Sequence, residues 1–276
     1  MKISRKKSLL IIIMIMVVSW IIFAVFPPVV HINGKWYSKN ANEVEINGTD
    51  SKFYDMRRLR HFTQIQRLRL SNYDGKDSYH ISLLDPLERI DCCLCNFKDG
   101  FPDTGSLNKL QELTFDNCSI SINNKIGKNV EHISISMSDV YSLDGLKNSK
   151  ITDVEFNNIK GISKKELYDV IRSLDELEDL SLSYDLIDED IAELDLKHLI
   201  ISKGTGEEKE IDLSDIKSNK IEKLTLLGVK LKDYSVLYDM ENLKTIEIKK
   251  EDISEKEIQE INEHGIQIEL WKPMIL

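Results

Sequence analysis

Along most of the chain, apolar residues recur in one six-residue pattern, apolar-x-x-apolar-x-apolar. It reads Ile65-Leu68-Leu70, Leu87-Ile90-Cys92, Leu110-Leu113-Phe115, Val130-Ile133-Ile135 and Ile151-Val154-Phe156. It continues as Leu177-Leu180-Leu182, Leu196-Leu199-Ile201, Ile221-Leu224-Leu226 and Leu243-Ile246-Ile248. The starting positions step by 22, 23, 20, 21, 26, 19, 25 and 22 residues. The last three places alternate apolar and polar, which makes a half-buried strand, because successive side chains on a strand face opposite ways. One such unit cannot bury its own apolar face, so neighbours must stack and share a core. The pattern predicts parallel strands centred near residues 69, 91, 114, 134, 155, 181, 200, 225 and 247.

Two units carry a longer match, Leu87-x-x-Ile90-x-Cys92-x-x-Cys95-x-Phe97 and Leu110-x-x-Leu113-x-Phe115-x-x-Cys118-x-Ile120. With a period of about 20 to 29 residues, this is the leucine-rich-repeat signature. The predicted fold class is α/β, a leucine-rich-repeat solenoid. Its parallel sheet curves along the concave side, and short helices and turns return along the convex side. One helix opens at Ser163-Lys164-Lys165-Glu166 with a capping box and buries Leu167, Val170, Ile171 and Leu174. A second opens at Ser254-x-x-Glu257, turns Ile258 and Ile261 inward, and ends at Gly265. Asn33-Gly34 marks a hairpin at the front, and Ile266-x-Ile268-x-Leu270 a closing strand at the back.

The apolar residues are unevenly placed. Ser8 to Phe26 contain no charge and follow Lys2, Arg5, Lys6 and Lys7. About 19 helical residues at about 1.5 Å each span roughly 28 Å, which fits a bilayer core of about 30 Å. This predicts one transmembrane helix before the solenoid, an uncleaved signal-anchor with the basic end in the cytoplasm and the rest outside. Secretion after signal cleavage is the alternative, although Ala24-Val25-Phe26 lacks small residues flanking a cut. The expected organisation is a cytoplasmic tail 1–7, a transmembrane anchor 8–26, an N-terminal cap hairpin 27–43, a solenoid 44–270 and a tail 271–276.

Several segments resemble the bacterial surface leucine-rich-repeat proteins, the broad group that includes internalins. Ile32-Asn33-Gly34-Lys35-Trp36-Tyr37 and Asn42-Glu43-Val44-Glu45-Ile46-Asn47-Gly48 are similar to their entry segment. The stretch from Leu224 through Leu226, Val229, Leu231, Asp233, Leu237 and Met240 to Leu243 is similar to one of their repeats. The resemblance covers about residues 29–270. It departs from the group in its wandering period and in the asparagine place, which is mostly Tyr, Ser, Ile, Asp, Gly or Val. It implies the architecture and an exposed binding role, and no particular receptor.

Charge narrows the partner. The chain has 37 basic and 47 acidic residues, a formal net charge of −10. Beyond the anchor, 33 basic residues face 47 acidic ones. A chain this acidic lacks the basic footprint that nucleic acid needs, and it is repelled by anionic lipid heads. The expected attachments are therefore the membrane, through residues 8–26, and a protein or peptide partner, with the ectodomain monomeric. Between the core apolars lie Arg67, Arg69 and Arg89, then Glu112, Asp116, Glu131, Asp153, Glu155, Glu178 and Asp179. Lys223, Lys244 and Lys249 follow, partly offset by Glu222 and Glu247. The concave face so reads basic, acidic, mixed. The seven central acids are the candidate partner-binding residues, for a basic partner; a merely solvated face is the alternative.

Candidate chemistry is otherwise sparse. No nucleophile elbow, zinc helix, phosphate loop or dinucleotide fingerprint occurs, so no catalytic residue, metal or cofactor is assigned and the chain reads as a binder, not an enzyme. A spacer without a specific ligand is the runner-up. Cys92 falls on a core place, Cys95 and Cys118 on the asparagine-or-cysteine place of adjacent repeats, and Cys93 on the concave side. They read as buried apolar-like residues or, in an oxidising exterior, as a Cys95–Cys118 disulfide. His132 and His198 fall on exposed strand places too far apart for one site.

Overall fold

Every alternating stretch folds into a five-residue strand. The computed structural model describes residues 12–20, 29–50, 55–204, 209–214, 216 and 220–271. Val29–Ile32 (β1) and Lys35–Ser38 (β2) form an antiparallel hairpin. Its turn holds Asn33 and Gly34 at φ +52° and +74°, the left-handed pair that a two-residue hairpin needs. The chain then runs through β3 (Glu43–Asn47), β4 (Arg67–Ser71), β5 (Arg89–Cys93), β6 (Asn96–Phe97), β7 (Glu112–Asp116) and β8 (Ser119–Ser121). Next come β9 (His132–Ser136), β10 (Asp139–Ser142), β11 (Asp153–Asn157), β12 (Asp179–Ser183) and β13 (His198–Ser202). The last are β14 (Lys209–Ile211), β15 (Lys223–Leu227), β16 (Val229–Leu231), β17 (Thr245–Lys249) and β18 (Gln267–Trp271).

Strands β3, β4, β5, β7, β9, β11, β12, β13, β15, β17 and β18 lie side by side in that order in one 11-stranded parallel sheet. A strand that always pairs with the strand of the next repeat is the mark of a leucine-rich-repeat solenoid. Each of the nine predicted centres is the middle residue of its strand. Unforeseen are the smaller parallel sheets, β6-β8-β10 and β14-β16, which follow the main strands one turn later.

The inward residues are the apolar ones of the pattern. Leu68 and Leu70, Leu113 and Phe115, Leu180 and Leu182, and their counterparts in the other coils are buried. Burying one such side chain contributes about 1.5–3 kcal/mol. An aromatic run stiffens the first coils: Tyr73 meets Phe97 at 5.7 Å between ring centroids, and Phe101 stands edge-on to Phe97 and Phe115 at 5.1 and 5.0 Å. At the far end Leu270, expected inward, is 42% exposed. Its strand is the last of the sheet, so no further coil among the described residues covers it.

On the return side both predicted helices form, Lys164–Ile171 (α1) and Glu255–Glu263 (α2). Both capping boxes close: the Glu166 amide donates to Ser163 Oγ at 3.3 Å, and the Ser163 amide donates to Glu166 Oε2 at 3.0 Å. The Glu257 and Ser254 amides make the same pair at 3.2 and 2.8 Å. Helix α1 lies in the longest repeat, the 26-residue step from Ile151 to Leu177. Several other steps hold only 3-10 turns, such as Met56–His61 and Ser78–Leu83.

Of the predicted anchor Ser8 to Phe26, residues 12–20 are helical and the remainder lies outside the described residues, as do the tails 1–7 and 272–276. Among the described residues no helix is long and apolar enough to cross a membrane.

Candidate binding face

The strand residues that do not point inward stand on the open face of the sheet, the concave one in a solenoid of this kind. The register arranges them in three rows. The first contains Arg67, Arg89, Glu112, His132, Asp153, Asp179, His198 and Lys223 as successive neighbours. The second begins Glu45, Arg69, Asp91 and includes Ser134 and Glu155. The third begins Asn47, Ser71, Cys93, Asp116 and ends Ser202, Leu227, then Lys249 and Trp271.

Five of the seven predicted acids lie in these rows: Glu112, Asp153 and Asp179 in the first, Glu155 in the second, Asp116 in the third. Glu131 and Glu178 stand one residue ahead of β9 and β12, at the sheet's edge. The four strands β7, β9, β11 and β12 thus present five carboxylates and no Lys or Arg.

The predicted basic end is corrected by the structure. Arg67 and Arg89 both donate to Asp91, at 2.6 and 2.7 Å, and Arg89 also pairs with Glu112 at 2.6 Å. Arg69 pairs with Glu43 at 3.0 Å, and Lys35 of the hairpin pairs with Glu45 at 2.8 Å. Glu43, Glu45 and Asp91 occupy open-face places that cancel the three arginines, so this end is neutral. The arginines stand out along the sequence, whereas the acids that oppose them are matched to them only by the strand register.

The central acids divide in two. Glu112, Asp153, Glu178 and Asp179 each have a basic neighbour: Arg89, His132 at 2.8 Å, Lys197 at 2.5 Å and His198 at 3.3 Å. Asp116, Glu131 and Glu155 have no cationic partner among the described residues. Glu155 instead accepts hydrogen bonds from Ser134 Oγ at 2.8 Å and from the Asn157 amide. The two histidines titrate in opposite directions from similar places. Asp153 holds the His132 pKa above the ordinary imidazole value. Burial, only partly countered by Asp179, lowers that of His198.

The cysteines are structural. Cys92, Cys95 and Cys118 are buried and all four thiols are free. Cys95 Sγ donates to the Leu70 and Cys93 carbonyls at 3.4 and 3.3 Å, and Cys118 Sγ to those of Asp116 and Cys92 at 3.3 and 3.5 Å. The neighbouring thiol of Cys118 favours a thiolate at Cys95, but Cys92 and burial outweigh it and push Cys95 up to about 12. Contact with Cys95, then burial, raises Cys118 further. Thiols held protonated in this way are poor nucleophiles and metal ligands. Among the described residues no group of three His, Cys, Asp or Glu side chains is placed to hold a metal ion.

No protein-family model matches the sequence, and no curated protein does. Among solved structures the chain is similar to an internalin from Listeria monocytogenes, with 15% identity and a TM-score of 0.46, over 85% of this chain and 69% of that one. It is also similar to a leucine-rich-repeat protein of Leptospira interrogans, with 14% identity and a TM-score of 0.34, over 78% of this chain and 74% of that one.

Proposed function

We propose that this solenoid is a binding module, not an enzyme, held outside the cell membrane by residues 8–26, and that its open face takes a basic segment of a protein partner. One observation carries the reading: four adjacent strands present five carboxylates and no Lys or Arg. Three of the seven candidate acids, Asp116, Glu131 and Glu155, have no cationic partner among the described residues. A face of one sign steers an oppositely charged partner and speeds association. A second reading, a spacer with no ligand, draws on the pairing of the other four acids.

The test is binding of a short oligolysine peptide to the chain carrying Asp116→Lys and Asp153→Lys. Exposed strand places carry little stability, so both variants should fold. Affinity should fall about tenfold or more at low salt, with the difference shrinking above roughly 0.1 M as screening sets in. Asp185→Lys with Glu189→Lys, exposed on the return side, is the control; equal losses from both pairs would favour the spacer. Lowering the pH from about 8 to about 6 should also weaken binding, because His132, its pKa raised by Asp153, gains its proton and cancels part of the negative row. His132→Gln should abolish that pH response. The anchor is checked separately: the full chain should resist carbonate extraction, and a released form beginning after Phe26 would show cleavage instead.

A further inference from the structure

The third row changes character along the sheet. Up to β12 it is small and polar, with Ser71, Cys93, Asp116, Ser136 and Asn157; from β15 it reads Leu227, Lys249, Trp271. Over these strand ends lies a cleft of about 590 Å³, within the range of about 300–1,000 Å³ usual for ligand sites. It runs from Met137, just after β9, to Trp271 on β18. Six inter-strand steps at about 4.8 Å give it up to about 29 Å along the sheet, the length of about eight extended residues. That shape suits a peptide strand better than a compact metabolite.

Its walls are built at a cost to the fold. Met137 is 44% exposed and Leu227 38% exposed. Met137 also stands at φ +49°, a left-handed conformation that disfavours a bulky side chain. The equivalent place after β4, β7 and β11 holds Asn72, Asn117 and Asn158 at φ +51° to +52°, residues that tolerate it far better. The indole N–H of Trp271 is buried and meets no acceptor among the described residues. A buried donor without a partner is unfavourable, so the wall at Trp271 is also held at a cost.

The middle of the cleft is polar and held in place. Asn157 Oδ1 accepts from Ser202 Oγ at 2.7 Å, and its amide nitrogen donates to Glu155, so its orientation is set. Next to Ser202, Lys203 has no ion-pair partner among the described residues. Its stem lies across Gly228: a Cβ added there would meet Lys203 Cδ at 2.7 Å. Glycine at 228 therefore positions the lysine along the cleft. In a chain of net charge −10, a lysine that meets no carboxylate among the described residues is a candidate contact for an acidic ligand.

We infer that the cleft binds an extended peptide segment bearing an acidic residue between two apolar ones. Its carboxylate meets Lys203 beside Asn157 and Ser202. The apolar side chain on one flank contacts Leu227, one strand from Lys203, and that on the other flank lies toward Met137. This site has the opposite charge preference to the acidic rows, so each stands or falls without the other.

Calorimetric titration of the full chain tests this with three probes: acetyl-Ala-Leu-Glu-Leu-Ala-amide, the same peptide with Gln for Glu, and acetyl-Ala-Ala-Glu-Ala-Ala-amide. The first should bind, with a change in tryptophan emission, and the other two about tenfold more weakly or less. Lys203→Gln should bring the Glu peptide down to the level of the Gln peptide while leaving the Gln peptide unchanged. Gly228→Ala should act in the same direction by displacing the lysine stem. An unshifted thermal midpoint for Lys203→Gln separates lost binding from lost folding. Equal binding of Glu and Gln peptides, equal loss of both in Lys203→Gln, or no binding of the Glu peptide at millimolar concentration would each overturn the inference. A Glu peptide with a free terminal carboxylate but Ala flanks that binds as tightly as the first probe would do so too, by showing recognition of a chain end.

Discussion

At the N-terminal end of the open face, Arg67, Arg69 and Arg89 meet Glu43, Asp91 and Glu112 at 2.6 to 3.0 Å. At the C-terminal end, Lys203 has no such partner among the described residues, and Leu227 and Trp271 stand where the other coils carry small polar groups. The difference follows from which row the charges occupy. Cations in the first two rows lie on the same strand as carboxylates of those two rows or one strand from them, within reach of a long side chain. Lys203 lies beyond the third row, where nearly all the neighbours are neutral. Charge content and available charge are therefore separate quantities, and only the second can recruit a ligand.

The sharpest way to break this comparison is to remove a keystone at one end and Lys203 at the other. Asp91 is only 18% exposed in its side chain and accepts from two arginines. Asp91→Asn should cost about 1.5–3 kcal/mol in denaturant unfolding, as expected for hydrogen bonds to a charged group. Exposed ion pairs contribute less, so the spared Arg69–Glu43 contact will not offset this. Lys203→Gln should change stability by less than about 0.5 kcal/mol. Similar losses from both would mean that the two ends are held alike.

The same contrast marks what could be read in advance. Strand centres were legible because inward places such as Leu180 and Leu182 alternate with polar ones, and a slip of one residue would expose them. Ser163-x-x-Glu166 and Asn33-Gly34 were legible because capping and tight turns depend on near neighbours in the chain. Asp91 was not, because its role depends on Arg67 and Arg89, from two repeats, converging on it. Glu131 and Glu178 missed the strand by one residue, a boundary that hydrogen bonding decides and alternation does not. The cleft was invisible for a related reason. Met137, Ser202, Leu227 and Trp271 share no motif, and only the stacking of coils brings them to one line.

The smallest expected effect gives the finest test. Leu94 and Met137 occupy the same left-handed place after β5 and β9, at φ +55° and +49°, and are 53% and 44% exposed. Both backbone amides keep their inter-coil bonds, to the carbonyls of Asp116 at 2.9 Å and Asn157 at 2.8 Å. Replacing either residue by Asn leaves those bonds intact and relieves the strain. Each change should therefore stabilise the chain by about 0.5–1 kcal/mol, part of the cost of a left-handed residue. The two should part company in binding. Met137 lines the cleft and Leu94 does not, so Met137→Asn should weaken the Leu-Glu-Leu peptide several-fold while Leu94→Asn leaves its affinity unchanged. A stabilised Met137→Asn that binds as before would mean that the strained methionine serves no ligand. Loss of binding in both variants would place the effect in the solenoid as a whole and not in its C-terminal end.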